Sequence, residues 1–457
     1  MHFIHQTDHN ETIAALATPP GAGGIAIVRV SGKRAEPCVE ALVRGSLKKQ
    51  LSHLACLKTL FCSQGHRLDR ALVLVMRAPR SFTGEDIVEI HCHGGHLIAK
   101  KILEALFQAG ARPAEPGEFS LRAFLNGKID LAQAEAIQDL ISARNEEALK
   151  VAEEQLEGRL SAHICSLQKR ATELCALFEA WVDFPEEDLG FCSFEEALSD
   201  ISALEKDVQR LINTFHTGKI LQEGVSLCIL GAPNVGKSSL MNALLGKERA
   251  IVSETAGTTR DLVEDDLMLN GLHCKIVDTA GIRKTDEQIE REGVRRSQQA
   301  VSRADVVLAV ADASRPEEKE MLAPIKEVLH NNSLLVWNKV DLRPQQPPSF
   351  AHPHTVNVSA KTGEGIERLT NMIESLIWQK EAHPKGELMI TNFRHKQALE
   401  SAREALCKTA EGLREGLSPE FIAFEMRAAL TAFGSVLGTD ITEDVLSSIF
   451  SRFCIGK

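Results

Sequence analysis

The feature that most restricts the fold lies between Val225 and Ala360, where five short apolar runs alternate with segments of helical periodicity. The runs are VSLCILG, HCKIVDTAG, VVLAVAD, LLVWNKVD and TVNVSA. Strands that are apolar on both faces belong inside a mainly parallel sheet, and the intervening segments must then supply helices to cover both sides. The pattern predicts an α/β domain that closes near Trp378. The stretch from Arg343 to His354 carries four prolines and reads as a surface loop within it.

The flanks follow other periods. Over the first 125 or so residues, Gly24 to Val30, Ala71 to Met76 and Ile87 to Ile90 are β-rich, and Leu97 to Ala109 has helical spacing closed by Gly110, so this part is expected to be mixed α+β. From Leu131, apolar residues such as Ala134, Ile137, Leu140, Ile141 and Ala148 recur three and four apart, and similar stretches run to about Phe215. These predict long helices. The tail beyond His383–Gly386 is helical again and too short to make a comfortable core alone, so it is paired with the 131–215 helices. The α/β domain is then an insertion in a helical domain. The expected organisation is a multidomain α/β chain: 1–125 N-terminal α+β, 126–220 helical, 221–378 the inserted parallel-sheet domain, and 379–457 helical.

Asp and Glu outnumber Lys and Arg by 63 to 52, giving a formal charge of −11 and no global basic field toward nucleic acid or an anionic membrane. Basic pairs are local: Lys48–Lys49, Lys100–Lys101 and Arg295–Arg296. No run of about 18 apolar residues occurs, and the first residues lack the layout of a secretory signal, so no membrane span and a cytoplasmic location are expected. The 11 Cys are scattered without a CxxC pair, which reads as reduced thiols and not as a disulfide framework or zinc site.

GAPNVGKS, Gly231 to Ser238, matches GxxxxGK[ST] between an apolar strand and a helical segment, the setting in which backbone N–H groups and a helix N-terminus face phosphates. The loop Asn234, Val235, Gly236, Lys237, Ser238 and Ser239 is expected to bind nucleotide, with Lys237 on the β- and γ-phosphates and the Ser238 hydroxyl on Mg²⁺. DTAG follows, with Asp278 reaching Mg²⁺ through water and Thr279, Ala280 and Gly281 bordering the γ-phosphate. NKVD places Asn338, Lys339 and Asp341 at a strand end, where the Asp341 carboxylate suits the two N–H donors of guanine. With Ser359, Ala360 and Lys361 of the SAK triplet, the ordered set resembles that of translation-factor-type GTPases, and the nucleotide is read as GTP.

Between the first two motifs lies SETAGTTRD, in which Ser253, Glu254, Thr255, Ala256, Gly257, Thr258 and Thr259 form a candidate switch, Thr259 being the second Mg²⁺ hydroxyl. After DTAG, Ile282 occupies the position where many GTPases carry a water-orienting Gln. Asp286, Glu287, Glu290 and Glu292 are nearby carboxylates, and spacing does not choose among them. His91 and His93 share one strand face, too few ligands for a metal, and the following GG predicts a turn.

Taken together, ATPPGAGGIAIVRVSG, FTGEDIVEIHCHGG, EPGEFSLRAFLNGKIDLAQAEAI, the nucleotide motifs and the terminal FCIGK resemble the MnmE (TrmE) tRNA-modification GTPases over nearly the whole chain. The resemblance implies an enzyme that couples GTP hydrolysis to modification of the wobble uridine at C5, by aminomethyl or carboxymethylaminomethyl addition. The implied partner is an FAD-binding protein of the MnmG (GidA) type. It assigns water orientation to Glu290, and replaces an arginine finger with K⁺ held by Asn234, the carbonyls of Ser253 and Thr255, and Thr258, once two G domains dimerise. It makes the N-terminal domain a homodimerising binder of 5-formyltetrahydrofolate or a related tetrahydrofolate through Arg29, Glu89, Lys128 and Lys457, and brings Cys454 to that pocket for the modification chemistry. A ribosome-assembly GTPase would share only residues 221–378, and a stand-alone folate aminomethyltransferase only residues 1–125.

Overall fold

The computed structural model describes residues 11–183, 194–247, 264–269, 272–278, 301, 304–316, 325, 332–342, 352–378, 388–439 and 441–456. They fall into two compact units, both discontinuous in the chain: Met1–Ile141 with Ala152–Arg210 and Arg394–Lys457, and Ser142–Val151 with Leu211–Phe393.

In the first unit a sheet is built from β1 (Ile13–Leu16), β2 (Ile25–Ser31), β3 (Ala55–Phe61), β4 (Arg67–Met76), β5 (Ile87–His93) and β6 (Arg112–Pro113). Its order is β3-β4-β5-β2-β1-β6, with β3 at one edge. Alternation sorts the side chains: Ala26, Val28 and Val30 of β2 are buried with Val88, Ile90 and Cys92 of β5 beneath the helices Ala35–Val43 and His96–Gln108. The opposite face carries the half-buried Arg29 and His91. Register lines up Leu57, Leu72, His91 and Ile27 in one row across that face, and Leu57, Leu72 and Ile25 are exposed there.

The helical periodicity also takes the form expected of it. Helices Leu131–Ser142, Arg159–Asp183, Phe194–Asn213, Phe393–Glu415 and Pro419–Leu437 carry it, with Pro419 in the first turn where its missing N–H costs nothing. Leu121, Leu131 and Ala134 pack with Leu446, Phe450 and Phe453, so the end of the chain closes the core that residues 121–134 begin. A buried polar cluster joins the same two stretches. Glu135 accepts from Arg394 Nε at 2.9 Å, Arg394 Nη2 at 2.6 Å and His395 Nε2 at 2.7 Å, while Arg394 also donates to the Ser435 and Val436 carbonyls. Burial pushes the Glu135 carboxyl up, but the charge and hydrogen bond of His395 and those of Arg394 outweigh it and hold the group at about 2.

The second unit holds the parallel sheet: β7 (Val225–Leu230), β8 (Glu264–Leu269), β9 (Leu272–Asp278), β10 (Val306–Asp312), β11 (Ser333–Asn338) and β12 (Thr355–Asn357). The order is β12-β11-β10-β7-β9-β8, and only the β8–β9 pair is antiparallel. Every residue of β10 and β11 is buried, which is why both read as unbroken apolar runs. The helix Ile366–Trp378 buries Ile366, Leu369, Ile373 and Ile377 against this core and ends at the expected Trp378.

Candidate functional site

β7 ends at Leu230 and the helix Lys237–Lys247 begins after a six-residue loop, so the strand delivers the chain to the sheet edge and the helix carries it back. In the loop, Asn234 has a φ of 60° and Gly236 a φ of 96°. A Cβ at Gly236 would lie 2.3 Å from the Asn338 amide nitrogen, so only glycine permits the close approach of the two loops. The Lys237 ammonium donates to the Gly231 and Ala232 carbonyls at 2.8 and 2.9 Å, folding the side chain back over the loop it belongs to.

The Asn338–Asp341 segment leaves β11 and is tied to that loop at several points. Asn338 Nδ2 donates to the Val235 carbonyl at 3.0 Å, and Asn338 Oδ1 accepts from the Ala360 N–H at 3.0 Å. Lys339, at a φ of 65°, donates its ammonium to the Asn234 carbonyl and to Asp312 Oδ2, both at 2.6 Å. Burial raises the Asp312 carboxyl, yet the hydrogen bonds from Lys339 and Ser314 more than offset this and hold it below its ordinary value. Ser359 donates to Asp341 Oδ1 at 2.7 Å, fixing one carboxylate oxygen and aiming the group. The result is a rigid bracket: a phosphate-type loop on one arm, and on the other a carboxylate with the shape to take paired N–H donors.

Of the residues picked out by motif, the structure therefore brings together Asn234, Val235, Gly236, Lys237, Asn338, Lys339, Asp341, Ser359 and Ala360. Ser238 and Ser239 open the helix that follows the loop. Asp278 ends β9, the strand next to β7. The expectations for Ser253 to Thr259, Thr279 to Gly281, Glu290 and Lys457 lie outside the described residues. Motif reasoning missed Asp312, whose only signal was its place at the end of the fully apolar run VVLAVAD.

A second cluster lies on the N-terminal sheet. Cross-strand neighbours Arg29 and Glu89 are joined by a hydrogen bond from Arg29 Nε and an ion-pair contact from Arg29 Nη2, both 2.9 Å to Glu89 Oε1, and His91 Nε2 lies 3.2 Å from Glu89 Oε2. Arg29 Nη1 donates to the Gly456 carbonyl at 3.3 Å, and the guanidinium lies 5.7 Å from the Phe82 and Phe119 ring centres. Gly456 has a φ of 94°, and a Cβ on it would meet the Leu16 carbonyl oxygen at 2.3 Å, so the tail is seated against β1. The Lys128 ammonium donates to the Pro79 carbonyl at 3.1 Å, at the far end of the loop that carries Phe82. Cys454 is exposed. His91 and His93 turn to different carboxylates, His93 Nδ1 pairing with Asp69 at 2.7 Å, and among the described residues no three His, Cys, Asp or Glu side chains converge as metal ligands.

The mainly parallel sheet, the phosphate-type loop and the NKVD bracket tied to it define a P-loop GTPase. Family models match over most of the chain, the GTP-binding protein TrmE N-terminus over residues 12–128 and the MnmE helical domain over residues 131–454. The chain belongs to the MnmE (TrmE) family of tRNA modification GTPases. It is 51% identical to the tRNA modification GTPase MnmE of Protochlamydia amoebophila across 100% of both chains. It is 44% identical to that of Chlamydia felis, covering 98% of this chain and 99% of the relative. Among solved structures, the G domain of the T. maritima FeoB iron transporter is 29% identical and covers 33% of this chain and 98% of its own, with a TM-score of 0.25. Among the described residues no helix is long and apolar enough to cross a membrane.

Proposed function

We propose that this GTPase is potassium-dependent and, with an FAD-binding MnmG-type partner, modifies the C5 position of the wobble uridine of certain tRNAs. The observation that carries this reading is the seating of the Cys454–Gly456 tail beside Arg29 and Glu89. A bare nucleotide switch has no use for a second polar cluster at the end of its chain, whereas a one-carbon site does.

The residue types that the resemblance assigns suit the groups the family uses, and Asn234, Ser238, Arg29, Glu89 and Lys128 are those of them that lie among the described residues. Ser238, with Thr259, would hold Mg²⁺, and Asn234, Ser253, Thr255 and Thr258 would hold K⁺; Asn234 is exposed at a turn that its left-handed backbone fixes. These cations supply charge neutralisation at the phosphates. This chain's own part is positional: Lys237 and the loop N–H groups cradle the phosphates, Asp341 selects guanine, and Glu290 orients the attacking water. On the N-terminal domain, Arg29, Glu89, Lys128 and Lys457 would hold a tetrahydrofolate, which supplies the one-carbon unit. Arg29 offers its charge to the acidic tail of such a ligand, and the Glu89 carboxylate accepts from ring N–H groups. The exposed Leu57, Leu72 and Ile25 on one face of the sheet support homodimerisation through this domain. Closure of paired G domains on GTP then drives the rearrangement of the helical domain and partner.

The test is mass analysis of tRNA nucleosides after incubation of the full chain with its partner, GTP, potassium and a tetrahydrofolate, each omitted in turn. C5-modified uridine only in the complete mixture is the expected result. Unmodified uridine in the complete mixture refutes the reading.

A further inference from the structure

The whole chain is acidic, with a formal charge of −11, yet from Arg44 to Arg80 it carries eight Lys and Arg and a single acidic residue, Asp69. That one carboxylate is spent. It is 9% exposed, accepts the His93 and Arg70 backbone N–H groups at 2.9 and 2.7 Å, and pairs with the His93 ring. The stretch is one structural piece: the end of the helix Ala35–Val43, the loop to β3, and the β3–β4 hairpin. Among the described residues β3 is the outermost strand, and no other strand pairs with its outer edge.

Lys48 and Lys49 are exposed on the loop before β3, Lys58 sits within β3, and Arg67 is exposed at the start of β4, opposite Phe61. No carboxylate among the described residues pairs with any of these four. Arg44, at the left-handed end of its helix, lies 4.4 Å from the Phe61 ring centre, which holds its guanidinium beside the hairpin. Among the described residues, Arg77 is the one basic residue of this stretch with a carboxylate partner, Glu36 at 2.7 Å. An edge strand gains protection against unwanted pairing from one or two lysines. A strip of unpaired cations reaching from the loop along the strand to the hairpin exceeds that need. In a protein whose net charge of −11 gives no general pull on polyanions, such a strip is a local counter-charge for a phosphate backbone.

The geometry points to the 44–67 edge, with Lys48, Lys49, Lys58 and Arg67 as its phosphate-binding residues, as the surface that docks the sugar-phosphate backbone of tRNA. Such residues position RNA and carry no base specificity, so this edge orients the substrate and leaves selection of the uridine to other groups. The inference rests on tRNA being the substrate, and its test is kept separate from that reading.

The full chain is titrated with tRNA at several salt concentrations, as wild type and with Lys48→Gln, Lys49→Gln, Lys58→Gln and Arg67→Gln combined. None of these residues belongs to the GTP or tetrahydrofolate clusters, so an unchanged rate of GTP hydrolysis reports an intact fold. Affinity is expected to fall about tenfold or more at low salt, and the slope of log affinity against log salt to flatten by roughly one for each phosphate that is no longer neutralised. Glutamine at the exposed Lys169, Lys206, Lys408 and Arg414 of the helical segments is expected to change affinity by less than about twofold. An unchanged slope in the edge variant, an equal loss in the helical variant, or binding of the edge to phosphatidylserine vesicles but not to tRNA would overturn the assignment. Nucleoside analysis of tRNA modified by wild type with its partner reports independently on whether tRNA is the substrate.

Discussion

Replacing Glu135 by Ala removes the acceptor that the half-buried Arg394 and the buried His395 share and leaves both donors facing an apolar methyl group. The carboxyl is displaced from 4.5 to about 2, which at 1.36 kcal/mol per factor of ten is worth about 3 kcal/mol of stability. Breaking one partner of a buried pair costs about 3–5 kcal/mol by mutational precedent, so the two routes agree. Because the folded value is depressed, this stabilisation is complete above about pH 4.5 and is lost as pH falls through about 2. Native-state hydrogen exchange reads the effect where it arises, in the helices Leu131–Ser142 and Phe393–Glu415. At pH 7 the variant should lose roughly 100-fold protection in both helices together, while the parallel sheet keeps its own. A change of less than about threefold, or loss in only one helix, would refute the view that this carboxylate fastens the two stretches to each other.

Other outcomes follow from the site geometry. GTP hydrolysis by the purified chain should accelerate strongly in potassium over sodium; equal rates in the two salts would remove K⁺ from the mechanism. Gly236→Ala forces a Cβ to within 2.3 Å of the Asn338 amide at a φ of 96° and should weaken fluorescent-GDP binding by at least about tenfold, with circular dichroism unchanged. Gly456→Ala should unseat the tail from the Leu16 carbonyl, lowering tetrahydrofolate affinity by calorimetry and abolishing uridine modification, while GTP hydrolysis stays at the wild-type rate. Parallel loss of both activities would instead mean that the tail governs folding.

How much of this was legible depends on where side chains meet backbone periodicity. β10 and β11 announced themselves because burial on both faces favours consecutive apolar residues, here Val306–Ala311 and Leu334–Trp337. β8 did not: it opens Glu264-Asp265-Asp266 and pairs only with β9, so its strand character comes from a neighbour and not from its own residues. The phosphate-type loop and NKVD were visible as spaced residue types, but their mutual contact through Asn338 and Val235 was not, because two loops 103 residues apart leave no periodic trace. Asp312 was hidden for the same reason. Arg29 and Glu89 are unremarkable as single letters, and only antiparallel register makes them partners.

The Glu135 cluster also fixes a schedule for synthesis. The carboxylate and its partner Arg394 are 259 residues apart, and at about 5–20 residues per second a ribosome needs roughly 13–50 s to deliver the second after the first. During that interval the parallel sheet of Leu211–Phe393 emerges whole and can fold, while the earlier helices wait with an acidic residue and an apolar seam unclaimed. The helices around Glu135 therefore mature only after the segment inserted before Arg394 has emerged, and they are the part of the nascent chain on which a chaperone would have most time to act.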